Sequence, residues 1–273
     1  MSELRGTDLI ARFEQFAPRW LAEEGDPIGL ALGTLNKTIK KVMVTLDVRP
    51  EIVAEAIEAE VDLIFSHHPP IFRPVPAILT DNPQTKMYAD LLTHNIAVYS
   101  AHTNLDAATG GINDWLAEAL NLEDTEIMSV TKEDGQQQFG FGRVGKLNKA
   151  VPFDEYLEEV AEIFNVKGLR YITDNSNKLV EKVAVLGGDG GKYYPDALKK
   201  GADVYITGDV YYHVGHDMQA DGLSVIDPGH HIESICKSRL KILFEDFAKE
   251  ADWTLEVIES DINTDPFQFY PAK

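Results

Sequence analysis

A single cysteine, Cys236, stands among the 273 residues, so no disulfide can form within the chain. That suits a reducing compartment. Basic residues are scarce: Lys and Arg total 25 against 45 Asp and Glu, a formal net charge of −20. Proteins that grip duplex nucleic acid neutralise phosphates with a basic face, and this composition argues against that class. A small phosphorylated molecule is not excluded, because bound metal ions reverse the local field. No apolar run approaches the roughly 20 residues that span a bilayer, so no membrane partner is expected. Met1-Ser2-Glu3-Leu4-Arg5 has no apolar targeting core and does not read as a signal segment. The expectation is a cytoplasmic protein.

Two families of catalytic signature are also missing. Gly187-Gly188-Asp189-Gly190-Gly191 invites a phosphate-cradle reading. Leu186 stands where a Walker loop needs its first glycine, and Tyr193 follows Lys192. No spaced acidic partner makes the loop a dinucleotide fingerprint. A tight βα turn is the plainer reading, and such a turn can still approach a ligand. No Gly-x-Ser-x-Gly elbow occurs, which leaves a nucleophilic serine or cysteine unsupported. Cys236 sits in a helical pattern with Ile235, Leu240 and Leu243 and reads as a buried packing thiol.

What is present begins with 44% hydrophobic residues, enough to bury a sizeable core in one large domain or two ordinary ones. Thr7 is placed to cap a helix carrying Leu9, Ile10, Phe13 and Phe16, which Pro18 ends. Val42–Leu46 reads as a strand, Pro50–Glu60 as a helix with proline in its first turn, and Val61–Phe65 as the next strand. A β-α-β unit implies parallel strands. Helix 87–93, strand 96–100 and helix 112–120 follow. The segment 123–134 is acidic and weakly patterned, and Gln136-Gln137-Gln138 marks a loop or an edge. A domain boundary is expected near 125–130. Beyond it come strand 139–147, helix 153–164 and strands 169–173, 183–186, 204–207 and 223–227. A long helix is expected from 230 to about 249, then a last strand at 254–260.

All eight histidines fall within 67–102 and 213–231. Two distant segments are thus supplying imidazoles to one place. Three times a strand ends in metal-type ligands: His67 and His68, then His102 and Asp106, then His230 with Glu233. The carboxyl ends of strands are where open α/β sheets hold ligands. Imidazole with carboxylate suits zinc, manganese, iron or nickel. Adjacent residues of an extended chain point to opposite sides, so His67 and His68 reach two ions more naturally than one. Each pair also has a structural reading, such as a capping histidine or a first-turn glutamate favoured by the helix dipole. The repetition at three strand ends tips the balance to a metal site. His213 and His216, three apart, suit substrate contact or proton transfer, or simply a polar helix start. His94 reads as structural, at a helix end that favours an imidazole.

Four segments together resemble the GTP cyclohydrolase type 2 homologue family, also catalogued as NIF-three-like proteins. They are Ser66-His67-His68-Pro69, His102-Thr103-Asn104-Leu105-Asp106, Ile206-Thr207-Gly208-Asp209-Val210-Tyr211-Tyr212-His213 and Asp227-Pro228-Gly229-His230-x-x-Glu233. The closing Asn263-Thr264-Asp265-Pro266-Phe267 is similar too. The resemblance covers nearly the whole chain, in the family's order. It implies an α/β fold of two domains of related topology with a metal site in the cleft between them. The layout expected here is a first domain over 1–127 and 238–273 and a second over 128–237. The interval 125–183 is too short for the large extra domain some members carry. The resemblance also implies a dinuclear site of His67, His68, Asp106, His230 and Glu233, and toroidal homohexamers. Many members space the last His and Glu by four residues; here His230 and Glu233 are three apart and His231 precedes Ser234 by three. His230 is preferred as the ligand, with His231 as the alternative.

The expected function is a dinuclear metal-dependent hydrolase of a small phosphorylated or nucleotide substrate, with His213 or His216 moving a proton. The rival is a non-enzymatic metal-binding regulatory or scaffold protein forming a ring. A phosphoesterase on single-stranded nucleic acid ends ranks last, because the net charge disfavours extended backbone binding.

Overall fold

The computed structural model describes residues 3–270 and has two compact units. The first comprises Met1–Ala108 with Ser234–Thr264, the second Thr109–Glu233 with Asp265–Lys273. Each is built around its own mixed sheet.

In the first unit, strands β1 (Gly29–Leu32), β2 (Lys41–Thr45), β3 (Leu63–Ser66), β4 (Ala97–Ser100) and β11 (Glu256–Glu259) form a sheet in the order β1-β4-β3-β2-β11. All neighbours pair in parallel except β1, which runs antiparallel to β4 at the edge. The expected β-α-β unit is present, with α2 (Pro50–Glu58) joining β2 to β3. β3 is buried along its whole length, as a central parallel strand covered on both faces must be. Phe65 faces an aromatic cluster. Its ring lies 4.6 Å from Phe13 on α1 (Gly6–Phe16), 5.5 Å from Tyr99 on β4 and 4.9 Å from Phe244 on α9 (Cys236–Glu250). Ile64 points the other way, into a cluster with Ile52, Val53 and Ala56 of α2 and Met87 and Leu91 of α3 (Pro83–Thr93). One residue of alternation thus divides the core between two helical layers. Cys236 is buried in α9.

The register aligns the carboxyl ends. Thr45 pairs with Ser66 and Ser66 with Ser100, and the two serine hydroxyls are 2.8 Å apart. The amide of His67 donates to Thr45 O at 3.1 Å and that of Ala101 to Ser66 O at 3.0 Å. Asp47, His67-His68 and His102 therefore leave the sheet side by side. The last of these opens the short helix α4 (Thr103–Ala107).

In the second unit, β5 (Glu123–Asp134), β6 (Gln137–Pro152), β7 (Arg170–Ile172), β8 (Leu179–Asp189), β9 (Val204–Gly208) and β10 (Ser224–Asp227) form a sheet in the order β5-β6-β8-β9-β10-β7. β8, β9 and β10 are parallel, and the remaining pairs are antiparallel. Helices α5 (Ile112–Ala119), α6 (Phe153–Ile163), α7 (Tyr194–Lys199) and α8 (Tyr212–Ala220) connect or flank them. The acidic segment 123–134 is an edge strand. It lacks a sequence pattern because Met128 is its one buried residue, so backbone pairing to β6, and not a buried face, holds it. The long helix expected from 230 is a 3₁₀ turn over His230–Ile235 followed by α9. Among the described residues no helix is long and apolar enough to cross a membrane.

Candidate metal centre

In the first unit, one ring nitrogen from each of His67, His68 and His102 lies within 4.8 Å of the other two. The strand alternation that would send neighbouring side chains apart stops at Ser66. His67 and His68 lie past it, in a bend before Pro69, and their ring centroids are 4.8 Å apart. Asp106 joins them from α4, with Oδ1 3.6 Å from His67 Nε2.

Each ring is held from behind through Nδ1. That of His67 faces the Ala101 carbonyl at 2.8 Å, that of His68 faces Asp47 Oδ1 at 2.7 Å, and that of His102 faces Asp26 Oδ1 at 2.9 Å. A carbonyl or carboxylate oxygen only accepts, so the proton sits on Nδ1 of each ring, which leaves Nε2 as the atom that can ligate a metal. This is how carboxylates and carbonyls orient histidines that bind metals. Asp47 is itself fixed by the Thr264 hydroxyl. Burial would lower the pKa of His102, but the bond to Asp26 and the charges of Asp106 and Asp26 raise it on balance. Burial would raise that of Asp26, yet His102 and Thr103 together hold it below the ordinary value.

The second unit repeats the device. His230 Nδ1 lies 2.7 Å from Asp209 Oδ2, and Nε2 lies 3.1 Å from Glu233 Oε2. The 3₁₀ turn explains why a spacing of three works here. Side chains at i and i+3 eclipse in a 3₁₀ helix, so it is His230 that faces Glu233. Glu233 is 3% exposed, and the glycine loop makes room for it. A Cβ on Gly187 or Gly188 would meet Glu233 Oε1 at 2.8 or 2.9 Å. β8 continues through both glycines to Asp189. The turn is therefore later than the sequence suggested, and the first two glycines admit a carboxylate.

His213 and His216 are exposed on α8. Their rings stand 5.4 and 4.8 Å from that of Tyr212. His94 caps α3, with Nδ1 2.8 Å from the Asp90 carbonyl. Sequence reasoning named His102 but left it out of the ligand set, and it passed over Asp26, Asp47 and Asp209. A usable signal existed for the last two, since each carboxylate follows a strand end closely.

The family model of Duf34/NIF3 (NGG1p interacting factor 3) matches residues 4–266. The chain belongs to this family. The GTP cyclohydrolase 1 type 2 homolog of Streptococcus pneumoniae is 43% identical over 264 residues, covering 96% of this chain and 98% of that protein. The protein of the same name in Bacillus subtilis is 36% identical, covering 97% of this chain and 99% of its own. Among solved structures, a Bacillus cereus protein related to NIF3 superposes with a TM-score of 0.95 at 31% identity, over 99% of this chain and 100% of that one. The fold is thus a Duf34/NIF3 fold, a mixed α/β arrangement with two sheets. Its imidazoles and carboxylates form groups that can hold a metal ion.

Proposed function

We propose that the protein is a dinuclear metal-dependent hydrolase acting on a small phosphorylated or nucleotide substrate. The ligands are the five side chains that the resemblance assigns: His67, His68, Asp106, His230 and Glu233. The observation that carries the reading is the common restraint on the imidazoles. His67, His68, His102 and His230 all have Nδ1 engaged by an oxygen acceptor and also fall in groups of side chains that can hold a metal ion, whereas the capping His94 shares the Nδ1 bond without belonging to such a group among the described residues. Names of curated relatives as GTP cyclohydrolase 1 type 2 homologs support the choice of reaction class.

Two divalent transition ions, zinc, manganese, iron or nickel, would supply Lewis acidity and lower the pKa of a bound water to about 7. The chain's own part is to present neutral imidazoles in one tautomer and to balance cationic charge with Asp106 and Glu233. His213 or His216 moves the proton. The protein works in the cytoplasm as a homohexamer, with a small molecule as its partner.

The family's description as an interacting factor favours one second reading, a metal-binding scaffold without turnover. Elemental analysis beside a GTP and nucleotide-phosphate turnover assay separates the two. The hydrolase reading expects about two equivalents of metal, fewer in His67→Ala, and turnover that chelation removes and metal restores. Metal without turnover of any nucleotide supports the scaffold, and no metal after incubation with zinc and manganese removes both.

A further inference from the structure

We infer that the second unit carries a binding pocket for a planar heteroaromatic ring bearing an anionic group, formed where β7, β10 and the start of α8 meet. It names a substrate class for the hydrolase proposed above and rests on that reading for its meaning, although binding itself does not require turnover. The cavity has a volume of about 250 Å³ and is lined by Arg170, Tyr171, Tyr211, Tyr212, His216 and Asp227, among others. That is slightly below the roughly 300–1,000 Å³ of pockets for drug-sized ligands. It limits the enclosed part to about one fused ring system.

The polar end is fixed by the sheet. β7 runs antiparallel to β10 with Arg170 opposite Asp227. Asp227, 4% exposed, accepts from the amides of Val210 at 3.1 Å and Gly229 at 3.0 Å and pairs with the Arg170 guanidinium. One side of the guanidinium is thereby anchored, while the Arg170 side chain stays 65% exposed. The rest of its donor fork is left for a ligand. A planar guanidinium held in this way suits carboxylate or phosphate oxygens.

The apolar walls are aromatic. Tyr171 packs against buried Phe153, with ring centroids 6.0 Å apart, yet is 55% exposed. It is a supported platform with open area. Tyr211 and Tyr212 are 65% and 72% exposed, and His216 stands edge-on to Tyr212 at 83°. Three exposed tyrosines around one cavity offer large, rigid faces of the kind that stack on rings. The position also links ring to chemistry. Val210 and Tyr211 directly follow Asp209, the residue that orients His230, and His216 is one of the two proposed proton carriers.

Isothermal titration of the full chain, with metal removed by chelation, tests this with GMP against guanosine and ribose 5-phosphate. GMP joins a fused ring to a phosphate and is expected to bind at least about tenfold more tightly than either part, since charged hydrogen bonds and stacking both contribute. Arg170→Gln and Tyr212→Ala are each expected to weaken GMP about tenfold, Arg170→Gln with guanosine unaffected. Circular dichroism checks the fold of each variant, and Tyr212, being exposed, gives a second readout should Arg170→Gln not fold. No saturable GMP binding, or equal affinity in the parent and both variants, overturns the pocket. So does a parent that does not bind GMP but loses its oligomeric state in Tyr212→Ala, which would make this face an interface between copies. The hydrolase reading fails by a different measurement, metal content and turnover in His67→Ala. GMP binding that survives such a failure still supports the pocket.

Discussion

Asp209 Oδ2 lies 2.7 Å from Nδ1 of His230, and Asp209 adopts a left-handed backbone with φ of 53°. The residue turns the chain at the end of β9 and aims a ring at the same time. Replacing it with glycine keeps the backbone accessible and deletes the acceptor. Asp209→Gly should lower metal affinity by about 10–100-fold, the usual effect of losing a carboxylate behind a ligating histidine. A competition titration against a chromophoric chelator measures this. Unchanged affinity would show that His230 is not a ligand or needs no orienting.

Gly188 combines a φ of +66° with a Cβ position 2.9 Å from Glu233 Oε1. An alanine there meets both backbone strain and a buried carboxylate. Gly188→Ala should destabilise the protein by about 1–2 kcal/mol from the left-handed backbone alone, with a lower thermal midpoint and reduced metal content. Wild-type values for both would mean that Glu233 relaxes freely and that the glycine is only a convenience of the turn.

Phe65 is fully buried between α1, α9 and β4. Phe65→Ala should cost about 3–5 kcal/mol, the range for truncating a buried phenylalanine. The denaturant midpoint reports it, and a loss below about 1 kcal/mol would contradict the packing described. Since β3 leads directly into His67, the variant should also retain less metal.

A pH-dependent contribution comes from the edge strand. Lys200 Nζ bonds Glu126 Oε2 at 2.6 Å, with Lys182 at 3.9 Å from the other oxygen. The bond to Lys200 holds the Glu126 carboxyl below its ordinary value. A depressed folded-state pKa gives stability that is present above the unfolded value and lost as pH falls through the folded one. Glu126→Gln should therefore lower stability by under about 1 kcal/mol at pH 7, as exposed ion pairs do. The gap to the parent should close below about pH 4. Equal midpoints at pH 7, or a gap that widens in acid, would show the cluster to be inert.

The buried strands were legible because their residues have one kind of neighbour. Leu63–Ser66, Ala97–Ser100 and Val204–Gly208 are buried throughout, so their apolar runs announce them. β5 was not legible. Its partner is a backbone, and its side chains are mostly in water. The glycine loop misled for a related reason. Glycines before a helix suggest a turn, whereas Gly187 and Gly188 answer to Glu233, more than forty positions away in the chain.

By itself the sequence determined the alternation of strands and helices, the absence of a disulfide within the chain, and the placing of His67, His68, His102, Asp106, His230 and Glu233 shortly after strand ends. Those follow from local periodicity and residue chemistry. Tertiary structure alone decided that the rings of His67 and His68 converge, that a 3₁₀ turn sets His230 against Glu233, and that Asp47, Asp26 and Asp209 stand behind the imidazoles. The physical reason is that hydrogen-bond orientation depends on distances between side chains far apart in sequence. His102 meets Asp26, and His68 meets Asp47, only because parallel register and loop return bring them within 3 Å.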